Sequence, residues 1–323
     1  MLRLKHKGKI LFVFSDPGGA KPCLALMSEC TPKDVIAVSD RIYPFYKDFQ
    51  VPVIFLDENY DSIIQAFAPD LIFTGTSYTS SIEKEFIALA KLYAIPCWSF
   101  VDHWTSISKR FRNEKHILNL PDLIWVIDER AKDIAVEEGI DSEKLAISDN
   151  PYHHWLSNWQ PAHSRVQFLE KAGISDQNKK IIVFAPDPLS NVDGRSAYGF
   201  DELVAAEKLV ELLKDNRPQI NNWVFLIKTH PNQNIGELAR IFKGQNDCKI
   251  LPSDIDTNET IYFADVVIGF FSSFLIEANI MAKPVIRFLD SLSHNDPFEK
   301  LDIGIIADEK RLISEISNIL KND

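Results

Sequence analysis

Several short stretches set residues that can move protons or hold anions at the ends of apolar runs. IKTHPNQN (227–234) closes one such run with Lys228 and His230 two positions apart, followed by Pro231. On an extended segment a two-residue spacing puts both side chains on one face, and a proline stops the ladder and fixes the turn. An imidazole held there could donate to a phosphate or protonate a leaving oxygen. IGFFSSFLIEANIMAKPVI (268–286) sets Ser272 and Ser273 where a helix should begin, with Glu277 one turn inside. Serines cap helices. Together with the free N–H groups and the positive end of the helix dipole they make a phosphate seat, with Glu277 placed to reach a ribose hydroxyl.

The N-terminal half offers two further stretches. FSDPGGAKPCLAL (14–26) follows an apolar run, and its Gly18 and Gly19 permit close backbone approach at a helix start. It is neither GxGxxG nor a Walker A sequence, so a dinucleotide or P-loop reading has little support. WSFVDHWTS (98–106) ends another run with Asp102 and His103 side by side. Adjacent residues on a strand point to opposite faces, so at most one of the two would face a cleft. Either could act as general base toward a hydroxyl, with Asp16 as the reserve. Each stretch also has a plain structural use as turn, cap, strand stop or packed histidine. Cys23, Cys30, Cys97 and Cys248 lack metal-ligand spacing, and His153 and His154 lack acidic partners at such spacing. No metal and no other cofactor is expected.

Positioning these residues requires a regular scaffold, and the hydrophobic pattern supplies one. Short apolar runs recur at 10–15, 34–39, 51–56, 70–75, 96–101, 122–127 and 144–148, with helical patterns such as 80–93 and 129–139 between them. Continuous rather than alternating apolar runs indicate strands buried on both faces. Strands alternating with helices indicate an α/β fold with a parallel sheet. The rhythm breaks at DNPYHHWLSNWQPAHSR (149–165) and restarts at 179–186, 222–230, 248–253, 265–271, 283–289 and 303–308, before a last helix. The expectation is two Rossmann-like domains of about 150 residues each. The first domain spans 1–150, a linker 151–165 and the second domain 166–323, with the last helix able to pack back on the first domain. A ligand is expected in a cleft at the carboxyl ends of the strands.

Composition narrows the partners. The 323 residues carry a formal net charge of −11, which argues against broad nucleic-acid binding. A local basic cluster, SKRFRNEKH (108–116), reads as a solvated loop face. No apolar run is long enough to span a membrane, and the N-terminus lacks an apolar signal core. A cytoplasmic protein with reduced thiols is expected. Basic residues 2–9 are a candidate for peripheral contact with the inner face of the membrane.

The combination resembles the GT-B class of glycosyltransferases. KTHPNQ and FFSSFLIEA look like the HP and SS motifs of bacterial sialyltransferases, polysialyltransferases and capsule Kdo transferases, and a similar pairing occurs in CDP-glycerol glycerophosphotransferases. ISDNPYHHWL (147–156) is similar to the GNP phrase before the second domain of many surface-polysaccharide enzymes, with Asp149 in place of the glycine. The resemblance implies transfer of a CMP-activated nonulosonic acid or Kdo to a saccharide or glycolipid hydroxyl without metal. His230 would meet the donor phosphate or the leaving group, and Ser272 and Ser273 would hold the phosphate. The acidic Asp/Glu-Asp/Glu-Gly motif carrying the sialyltransferase base is absent, Asp102-His103-Trp104 being only a positional substitute. Alternatives on the same scaffold are a UDP-sugar-dependent transferase, a non-hydrolysing nucleotide-sugar 2-epimerase, and a non-catalytic nucleotide-sugar-binding partner.

Overall fold

The computed structural model describes residues 4, 8–56, 58–113, 115–192, 194–215, 222–230, 233–294 and 296–321. The chain divides into two compact units, Met1–Asn158 and Trp159–Asp323. In the first, β1 (Ile10–Val13), α1 (Pro17–Ser28), β2 (Val35–Ser39), β3 (Val53–Phe55), α2 (Tyr60–Phe67), β4 (Leu71–Thr74) and α3 (Ile82–Leu92) lead on to β5 (Cys97–Val101). After it come β6 (Leu123–Val126), α4 (Glu129–Glu137), β7 (Leu145–Ile147) and α5 (Pro151–Ser157). Its 7-stranded sheet has the order β3-β2-β1-β4-β5-β6-β7, and every pairing is parallel.

The second unit opens with α6 (Arg165–Lys171), β8 (Lys180–Ala185), α7 (Gly194–Tyr198), α8 (Glu202–Asp215), β9 (Trp223–Ile227), α9 (Ile235–Ile241) and β10 (Cys248–Ile250). It continues through α10 (Thr257–Phe263), β11 (Val266–Gly269), α11 (Ser273–Ile280), β12 (Val285–Phe288), β13 (Ile305–Ala307) and α12 (Leu312–Lys321). Its 6-stranded parallel sheet runs β10-β9-β8-β11-β12-β13. Both sheets therefore share one Rossmann-type order, in which the chain winds outward from the first strand and then reverses beside it.

The apolar runs explain which strands are central. β1, β4, β9, β11 and β12 are buried along their whole length. The edge strands β3, β10 and β13 are short and partly exposed. Helices cover the faces with apolar stripes, and several starts are capped by their own side chains: Asp128 accepts from Ala131 N–H, and Ser164 and Gln167 form a capping box.

Three details differ from the expected layout. The apolar runs exceed their strands by one to four residues, because flanking turn residues extend the apolar pattern past the strand ends. The stretch 151–165, expected as a linker, contains α5, which Asn150 caps through Tyr152 N–H and which packs against α1. The last helix, α12, buries Leu312, Ile313 and Ile316 in the second unit's own core with Ile268 and Ile286. Among the described residues no helix is long and apolar enough to cross a membrane.

Candidate functional site

In the second unit the strand order reverses between β8 and β11, the place where open α/β sheets take ligands. Just past β8, Asp187 accepts the Phe271 N–H at 2.9 Å through Oδ2. Burial pushes its carboxyl up to about 6, against the Phe271 bond and the nearby Ser272 hydroxyl, and the Glu202 charge pushes the same way. Glu202, 1% exposed at the start of α8, accepts Ser190 N–H at 2.8 Å, Ser190 Oγ at 2.6 Å and Gln233 Nε2 at 2.9 Å. Gln233 in turn donates its N–H to the His230 carbonyl at 2.9 Å. The loops after β8, β9 and β11 are thus tied together, and Gln233 Oε1 is buried without a hydrogen-bond partner among the described residues.

The Ser-Ser pair lies at this place. Ser272 is the N-cap residue of α11 by its backbone (φ −79°, ψ 159°), yet its side chain makes no capping bond. Its Oγ is buried beside Asp187 without a well-formed hydrogen bond. Ser273 is exposed on the first helical turn, where Leu275 N–H already bonds the Ser272 carbonyl at 3.1 Å and the N–H groups before it have no acceptor within the helix. The expected anion seat therefore has a neighbour unread in the sequence, a carboxyl that binds the preceding amide.

The other expected donor-side residues are placed less directly. Lys228 donates to the Ile255 carbonyl, beyond β10 and on the side of β9 away from β11, and burial lowers its pKa. His230 keeps an exposed edge, while the protein packed around the rest of its ring pushes its pKa down. Glu277 is buried within α11, 6% exposed. Pro231 lies outside the described residues.

The equivalent reversal in the first unit falls between β1 and β4. Here Gly18 and Gly19 serve close packing. A Cβ on Gly18 would stand 2.1 Å from Asp102 Oδ2, and one on Gly19 would stand 2.7 Å from Thr76 N and 2.8 Å from Thr76 O. The anion against the start of α1 is therefore the chain's own Asp102, a favourable place for a carboxylate. Its Oδ1 is buried with no hydrogen bond among the described residues, 3.7 Å from Arg110 Nη1.

Beside it, the neutral His103 ring has a defined tautomer. Nδ1 accepts the Thr105 N–H at 3.2 Å, so its proton sits on Nε2. Burial lowers the His103 pKa, with Asp102 raising and Arg110 lowering it by smaller amounts. Neutral His103 thus presents a donor, and the acceptor of the pair is Asp102. The reserve base, Asp16, is fully engaged: Oδ2 takes Tyr78 N–H (2.7 Å) and Thr79 N–H (3.2 Å), and Oδ1 takes Thr79 Oγ1 (2.6 Å) and Arg41 (2.7 Å). Burial would raise its pKa, but these bonds outweigh that and lower it. Asp16 staples two loops together.

Glu83, on the first turn of α3, is the acid that sequence reasoning missed. It is 3% exposed, accepts Ser15 N–H at 3.0 Å, and bonds Ser77 Oγ through the same oxygen. Its Oε2 and the buried Ser15 Oγ have no partner among the described residues. Burial, only partly offset by the Ser77 bond, raises its pKa to about 7. A raised folded-state pKa means stability is full below the unfolded value and is lost as pH rises toward 7. In urea titrations, Glu83→Gln should abolish this loss, worth up to about 3 kcal/mol in the wild type between pH about 4.5 and 7.5. Parallel pH slopes for both proteins would refute the assignment. The signal available in the sequence was a glutamate opening a helix that follows a strand-end hydroxyl cluster.

No protein-family model matches the chain, and no curated protein matches its sequence. Solved structures do resemble it. A putative UDP-N-acetylglucosamine 2-epimerase from Listeria monocytogenes superposes with a TM-score of 0.67 at 16% identity, covering 98% of this chain and 89% of its own. Anabaena Alr3699/HepE in complex with UDP-glucose gives 0.65 at 15% identity, with 98% and 90% covered. The Neisseria meningitidis UDP-GlcNAc 2-epimerase bound to UDP-GlcNAc gives 0.59 at 14%, with 97% and 91% covered. At these identities the likeness shows the fold, the GT-B-like pairing of two Rossmann-like units.

Proposed function

We propose that the chain is a nucleotide-sugar enzyme of the non-hydrolysing 2-epimerase type, acting on a UDP-activated sugar. The observation that carries the chemistry is the pair of carboxyl groups at the first unit's switch point. Glu83 has its pKa raised to about 7 by burial, and the buried Asp102 Oδ1 accepts no hydrogen bond among the described residues, with Arg110 Nη1 3.7 Å away. Inverting a carbon centre requires a proton to be removed and another returned, and two acids in different environments suit the two roles. Cys23, fully buried, feels the charge of both groups, which supports their joint use. In this reading the second unit takes the diphosphate at the first turn of α11, between Ser272–Ser273 and the Asp187 carboxyl. Several solved structures of like fold hold UDP or a UDP-sugar, which favours uridine over the cytidine nucleotide that the HP/SS resemblance implied.

A glycosyltransferase is the second reading, favoured by the His-Pro and Ser-Ser pairs on loops that Gln233, Glu202 and Asp187 join. It differs in needing an acceptor hydroxyl, with Asp102 as its base.

The nucleotide is tested by thermal shift with UDP, CDP, CMP, GDP and ADP, since a ligand that binds only the folded state raises Tm. UDP should stabilise selectively, by about 2.7 kcal/mol at a hundredfold excess over Kd. Selective stabilisation by CMP would return the reading to the cytidine-dependent transferases.

A further inference from the structure

The second unit carries a buried arginine that the proposed chemistry does not use. Arg287, in β12, is 2% exposed. Its Nε donates to the Phe270 carbonyl at 3.2 Å, and its Nη2 pairs with Asp296. The guanidinium lies beside a pair of touching rings, 5.8 Å from the centroid of Phe271 and 5.3 Å from that of Phe298, each a favourable cation–π contact. Asp296 Oδ1 also accepts the Phe298 N–H at 2.8 Å, so one carboxylate holds both the cation and the ring beneath it.

A buried charge is costly unless paired and hydrogen-bonded. This assembly acts on the residues just before α11. Arg287 holds the carbonyl of Phe270 and the ring of Phe271, while Asp187 holds the N–H of Phe271. The next residue is Ser272, the N-cap of α11, whose buried Oγ stands beside Asp187. Apolar residues of similar volume would fill the space without fixing the direction of that turn.

We propose that Arg287, with Asp296 as its counter-ion, is a positioning residue that sets the phosphate-binding first turn of α11 against Asp187. The proposal rests on the nucleotide reading of that turn. It touches the diphosphate part only, which separates it from a role in stability alone.

The test is calorimetric titration of the full chain with UDP and with uridine, together with Tm. Arg287→Met should weaken UDP at least about tenfold while leaving uridine affinity unchanged. Arg287→Lys, which can still reach one of the two oxygens, should recover part of the loss. Asp296→Asn should reproduce the Arg287→Met result, and these two polar variants decide the matter if the methionine variant does not fold. Equal UDP affinity in a folded variant overturns the proposal, as does a parallel fall for UDP and uridine. A wild-type protein that binds neither ligand overturns instead the nucleotide reading beneath it.

Discussion

Asp102→Asn should lower turnover by roughly 10²- to 10⁴-fold while leaving nucleotide affinity unchanged. The substitution keeps the shape of a side chain packed against Gly18 and facing Arg110, so folding should survive. It removes the oxygen's capacity to take a proton. Its neighbour cannot substitute, because neutral His103 spends Nδ1 on Thr105 and presents only an N–H. Asp16 cannot substitute either, with both oxygens engaged by Arg41, Tyr78 and Thr79. Steady-state rates and UDP titration on the same preparation check the separation. A variant that keeps near wild-type kcat would remove Asp102 from the chemistry.

Gly19→Ala should destabilise the first unit by about 1–3 kcal/mol, a fall in Tm of roughly 2–4 °C per kcal/mol for a domain of this size. The added methyl would meet the backbone N and O of Thr76 at 2.7 and 2.8 Å, and neither is the end of a flexible side chain. Relief requires α1 to lift off the end of β4, moving Gly18 away from Asp102. Gly139, whose added Cβ would meet nothing within 4 Å, has a φ of +92°, so its alanine variant would report backbone strain rather than contact. A Gly19→Ala protein with unchanged Tm would show that the two elements separate freely.

The scaffold was legible because its strands are buried on both faces. A run such as WVFLI in β9 has no polar face to blur it, and all its residues are buried. The positions Asp102, Ser272 and Ser273 were legible as strand ends and helix starts. What stayed hidden depends on loops meeting across sequence. Asp187 lies 84 positions from its Phe271 partner, and Glu83 lies 68 from Ser15. No local spacing reports such pairs. The part played by the glycines is not local either: a turn that admits a ligand's phosphate and one that admits the chain's own carboxylate have the same sequence. The strand period puts Lys228 and His230 on one face, but β9 ends at Ile227, and only the Lys228 N–H, donated to the Phe184 carbonyl at 2.9 Å, carries the pairing with β8 further.

The central claim is that the chain moves a proton on the sugar of a nucleotide sugar and needs no acceptor. Its most direct test is incubation of the wild-type protein with UDP-N-acetylglucosamine alone in deuterated buffer, followed by NMR of the recovered nucleotide sugar. The account predicts a second epimer and deuterium at C2 in both, with Asp102→Asn showing neither. Recovery of the starting sugar without deuterium, and turnover only after a saccharide acceptor is added, would contradict it and establish a transferase.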